Sequence, residues 1–113
     1  SYPHERSALF HEIGRNKITG VVLVGGDIHR SRVVRHATKK AAGYDIIELI
    51  SSPMHHSIIK AANAPHPGLI KDMGEPHTFL LIDAAQQDGK VTSVRARFVN
   101  DEGTEHFAID LIK

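Results

Sequence analysis

Cysteine is absent from the 113 residues. That removes disulfide frameworks and thiolate metal sites from the possibilities. Tryptophan is absent too, and four Phe and two Tyr are the whole aromatic inventory. A surface that stacks on bases interleaves more aromatics with its basic residues. Neither sign of charge is in excess: 14 Lys and Arg against 13 Asp and Glu leave a net +1. The chain therefore offers no electrostatic case for nucleic acid or an anionic membrane as partner. No apolar run approaches the roughly 20 residues of a membrane span, and the first residues lack the apolar segment of a secretory signal. The P-loop, the Gly-x-Ser-x-Gly elbow and the His-Glu-x-x-His helix are all missing, which sets aside the chemistries tied to them. The length bounds one domain with a real core. A hydrophobic share of 41% is low for a compact domain and well outside the disordered range. The chain opens on Ser1-Tyr2-Pro3-His4-Glu5-Arg6 without a methionine, and reads as an excerpt of a longer protein.

Histidine, by contrast, is plentiful, with nine in the chain. The one in the most suggestive setting closes the run Val21-Val22-Leu23-Val24-Gly25-Gly26-Asp27-Ile28-His29. Four apolar residues in a row, bounded by glycines, suit a strand buried on both faces. The glycines let the chain turn sharply as it leaves the strand. In open α/β sheets ligands sit beyond the carboxyl ends of strands, so Asp27 and His29 are candidate metal ligands delivered to a crevice. A plainer reading makes Asp27 a turn residue and His29 an ordinary loop histidine, since two ligands rarely make a site.

The rest of the pattern predicts a helix over residues 1–15, with Leu9, Phe10 and Ile13 as its apolar stripe and Gly14 as its stop. Residues 31–36 and 44–50 predict two strands able to pair as a hairpin across a loop at 37–43. Pro53 breaks the second strand. A short helical turn is expected over 58–62 and an ordered loop over 63–75. The last third predicts a three-stranded meander. Its first strand, 78–84, carries the run Phe79-Leu80-Leu81-Ile82, apolar enough for the centre of a sheet. Asp88-Gly89 and residues 100–103 supply the turns. Val94, Ala96 and Phe98, then Phe107, Ile109 and Leu111, mark half-buried antiparallel strands. The sum is α/β, mostly strands with an N-terminal helix, and has the look of the second half of a layered domain.

Taken in order, Tyr-x-x-Glu-Arg, Gly-Val-Val-Leu-Val-Gly-Gly-Asp-Ile-His and Tyr-Asp-Ile-Ile-Glu-Leu-Ile-Ser-Ser-Pro-Met-His-His-Ser resemble the carboxyl-terminal half of alkaline phosphatase D (PhoD-like) metallophosphoesterases. The resemblance covers most of the chain. It implies half of a four-layer α/β/β/α calcineurin-like fold over residues 1–113, with the upstream half of the domain elsewhere. It also implies metal-dependent hydrolysis of phosphate mono- or diesters. Asp27 and His29 fall on the family's carboxyl-terminal metal motif and become the catalytic metal ligands of a binuclear or multinuclear centre. Ser51, Ser52, His56 and Ser57 fall on its second motif, which shapes the pocket. Gly25 stands where serine is common. His55 stands where threonine is frequent and so adds nothing as a ligand. The wider superfamily usually has histidine where this chain has Asp27. A carboxylate is the harder ligand and shifts preference toward calcium or ferric iron, the metals of the family, with other divalent metals open.

On this reading a phosphate ester is the substrate, and export to the periplasm or beyond fits the family. Arg30 and His56, with Ser52, are candidate substrate contacts. For Arg30 the plainer reading, a solvated arginine flanking a strand, is the favoured one; His56 reads equally as a packed loop histidine. Only neutral imidazole ligates metal, so activity is expected to fall as His29 protonates. Two motif ligands cannot complete a binuclear centre, so the chain alone is expected to be inactive and marginally stable. The rival expectation is a non-catalytic β-rich binding module or a phosphoesterase relative that has lost catalysis. In that case Asp27 and His29 only turn the chain.

Overall fold

The computed structural model describes residues 2–58 and 64–112. Helix α1 spans Tyr2–Arg15. Strand β1, Val22–Gly25, follows, and then β2, Ser31–His36. A single turn, α2 at Lys39–Ala42, leads into β3, Ile46–Ile50. Strand β4 is Leu69–Met73. The meander is β5, Thr78–Gln87, β6, Lys90–Asn100, and β7, Glu105–Asp110.

The strands form two sheets, ordered β1-β3-β2-β4 and β5-β6-β7. The hairpin of β2 and β3 is antiparallel as its alternation predicts, with Val33 opposite Leu49. β1 runs parallel to β3, with Val22 opposite Ile47 and Gly25 opposite Ile50. Side chains alternate across a strand, and the two faces of the first sheet bury different partners. On one face Val33, Leu49 and Met73 meet Ala96 and Phe98 of the second sheet. On the other, Ile46 and Leu23 meet Phe10 and Ile13 of α1, with Ala42 of α2. The result is three layers, helix, sheet and sheet, in a mixed α/β domain that is mostly strand.

Several expectations are corrected. β1 is not buried on both faces. It is an edge strand, and although Val22 and Leu23 pack on opposite sides, Val24 is 62% exposed. The run Phe79-Leu80-Leu81-Ile82 is not central either, because β5 is the edge of its sheet and Ile82 is 47% exposed. Residues 37–43 contain the turn α2 within their loop. The expected loop over 63–75 contains β4, which pairs with β2 through a register shift at Val33/Val34. The helical turn expected over 58–62 lies largely outside the described residues.

Gly14 does not stop α1. The helix runs on to Arg15 and closes with Lys17 in the left-handed region at φ 53°. Ile18 N–H donates to Ile13 O and Lys17 N–H to Gly14 O, the paired bonds of a Schellman closure. Gly14 instead lies against α2, where a side chain would collide with the backbone carbonyl of Ala41.

Candidate functional site

The sheet order dictates the site. β3 lies between β1 and β2, so residues 26–30 must cross the end of β3 to pass from one strand to the other. The chain leaving β3 at Ser51 and Ser52 emerges beneath that crossing. Two loops from separate parts of the sequence therefore meet at one edge of the sheet, and the bend at residues 74–77 joins them. Ser51 N–H donates to Gly25 O at 3.0 Å, His77 N–H to His55 O at 3.0 Å, and Thr78 N–H to Pro53 O at 3.0 Å. The Ser52-Pro53 bond is cis.

The crossing is tightly wound. Asp27 and His29 have φ of 73° and 58°, left-handed values that non-glycine residues seldom adopt and that cluster at functional sites. Ser52 anchors His29. Its buried Oγ accepts the His29 backbone N–H at 3.2 Å. Ser52 is itself fixed by Ser31, whose Oγ accepts from Ser52 N–H and donates to Ser52 O, both at 3.3 Å.

The His29 ring is oriented by the second loop. Its Nδ1 lies 3.0 Å from Ser57 O. A carbonyl only accepts, so Nδ1 carries the proton and Nε2 keeps its lone pair. A backbone carbonyl holding the far nitrogen is the usual support of a metal-ligating histidine. The His55 ring sits edge-on to His29 with centroids 5.0 Å apart. Its Nδ1 accepts from Ser57 N–H at 3.0 Å, which places its proton on Nε2. His56 is exposed, 6.2 Å from His55 between centroids. Asp27, two residues before His29 on the crossing, is exposed.

The second motif is thus brought to His29, with Ser52 and Ser57 bonded directly to it, while Asp27 shares the crossing loop with His29. Arg30 is turned elsewhere. Its Nε and Nη2 donate to the two carboxylate oxygens of Asp72 at 3.0 and 3.2 Å. Arg32 stands opposite Asp72 in the ladder, with Nε 3.9 Å from the same carboxylate and Nη2 donating to Ala64 O at 2.6 Å. Sequence reasoning missed Asp72, because it lies on the overlooked β4, and it discounted His55. The doublet His55-His56, two residues past a proline that ends a strand, was the available signal.

Among the described residues no three His, Asp or Glu side chains converge as a metal-holding group. The chemistry of Asp27 and His29 fits a metal as part of a larger donor set: a hard carboxylate, and an imidazole whose Nε2 is left without a hydrogen-bond partner among the described residues. Also among the described residues, no helix is long and apolar enough to cross a membrane. No protein-family model, no curated protein and no solved structure matches the chain.

Proposed function

We propose that this edge of the sheet is part of the metal centre of a phosphate-ester hydrolase, in a four-layer α/β/β/α domain of which this chain forms the carboxyl-terminal half. The observation that carries the reading is the orientation of the His29 ring. Ser57 O accepts a hydrogen bond from Nδ1, which leaves Nε2 with its lone pair at the carboxyl end of a parallel strand, two residues from a carboxylate. Asp27 and His29 would hold the metal, calcium or iron by the hardness of the carboxylate. A metal held there would supply a nucleophile near neutral pH and offset charge on the phosphoryl oxygens.

The protein's own contribution is orientation. Ser52 fixes the His29 backbone, Ser57 fixes its ring, and His55 packs against it with an Nε2 proton to donate. His56, exposed and 6.2 Å from His55 between centroids, is the candidate contact to the ester. Arg30 spends two donors on Asp72, so its first role is to tie the crossing loop to β4.

The test is His29→Ala in the full-length protein. Metal content and turnover of mono- and diester substrates should both fall, turnover by at least about 100-fold, with the circular dichroism spectrum unchanged. Near-normal turnover would return the chain to the reading of a β-rich binding module.

A further inference from the structure

A second cluster lies at the opposite end of β2, about 17 Å along the strand from the metal loop. His36 ends the strand there. Arg6 of α1 donates from Nη2 to His36 Nδ1 at 2.7 Å, so the His36 proton is on Nε2, which donates to Glu48 Oε1 at 2.8 Å. The Arg6 guanidinium also sits 5.1 Å over the ring of Phe10. Arg6 is therefore held from two sides, and little freedom is lost when it takes a ligand.

Beside Arg6 opens a cavity of about 450 Å³. Lys40 and His66 line it together with Arg6 and His36, and Pro3 and Phe10 add apolar wall. Among the described residues no carboxylate lines it. Glu48 is bonded to the far nitrogen of His36. The His66 Nδ1 accepts from Gly68 N–H at 2.9 Å, which leaves its Nε2 as a donor. Two cations and a histidine thus border one space whose described lining holds no carboxylate. That is the complement of a tetrahedral dianion, whose oxygens accept several charge-assisted hydrogen bonds at once.

We propose that this cavity is a phosphate-binding site, separate from the metal loop and independent of the hydrolase reading. Its ligand is a phosphate group, free or on a small molecule, bound by Arg6, Lys40 and His66.

The test is calorimetric titration of inorganic phosphate into the metal-free full-length protein, with chloride holding ionic strength constant. A saturable single site is expected. Lys40 is exposed, so Lys40→Gln leaves the fold intact and should weaken binding about tenfold, the loss of one charged hydrogen bond. Lys40→Arg should restore it. His29→Ala should leave it unchanged, because that residue is at the other end of the strand. Absence of saturation, or equal affinity in Lys40→Gln, would overturn the proposal. So would loss of binding in His29→Ala, which would place the phosphate at the metal loop. Turnover enters none of these readouts, so failure of the hydrolase reading leaves this result standing.

Discussion

His29 shows how much a single side chain depends on bonds that its own neighbours in sequence do not make. Its backbone N–H ends on Ser52 and its ring on Ser57, 23 and 28 residues away. Ser52→Ala would leave that half-buried N–H without an acceptor, at a cost of about 1–2 kcal/mol. It would also release a backbone held at positive φ. On the proposed reading Ser52→Ala should weaken metal binding by about tenfold, while Ser52→Thr, which keeps the hydroxyl, retains most of it. Metal titration followed by urea denaturation separates the two effects, and a loss of stability with unchanged metal affinity would make Ser52 purely structural. Asp27, His29 and the serines were legible in the sequence because glycines, a strand end and short polar motifs mark them. The engagement of Arg30 was not. It depends on Asp72, and a carboxylate 42 residues away leaves no local trace.

At the scale of elements, the regular pieces were legible wherever one side of a pattern is buried. The alternation in β6 puts Ala96 and Phe98 in the core, and the stripe of α1 buries Phe10 and Ile13. β4 was not legible, because among its residues only Met73 is fully buried and Lys71 and Asp72 break the apolar pattern, Asp72 pairing with Arg30 and Lys71 lying over the Phe107 ring. Nor does a run of apolar residues distinguish a central strand from an edge, which is how β5 came to be misplaced. Gly14 was read by the usual rule for helix ends, whereas its actual constraint is tertiary. α1 and α2 approach so closely there that a Cβ has no room against Ala41 O. Gly14→Ala gains helix propensity, about 1 kcal/mol, but must push the two helices apart, which costs about 1–3 kcal/mol as overpacking does. The expected result is a lower urea midpoint with an unchanged slope. A raised midpoint would mean that α2, only one turn long, yields without cost.

The whole molecule is a slab, 43 × 42 × 19 Å. Its radius of gyration is 15.3 Å, against about 13 Å for a compact domain of this length. Its accessible surface is 7624 Å², against about 6,100 Å² for a compact monomer of this mass. The excess includes apolar side chains on edge strands, Val24 on β1 and Leu81 and Ile82 on β5, and Val91 of β6 beside the turn from β5. Among the described residues β1 pairs on one side only, so its other edge presents backbone groups that are a template for another strand. On the proposed reading the other half of the domain covers this edge, and the 113-residue chain on its own is left to cover it with copies of itself. Sedimentation of the isolated chain should then show association that grows with concentration, accompanied by a broad thermal transition. Val24→Lys should reduce the association, because a charge on an edge strand opposes pairing, without making the transition sharper, since it adds nothing to the core. A chain that stays monomeric at every concentration and melts in one sharp step would instead be a self-sufficient β-rich module. Its excess surface would then be available to a partner, and Asp27 and His29 would be what the plainer reading makes them, residues that carry the backbone over the end of β3.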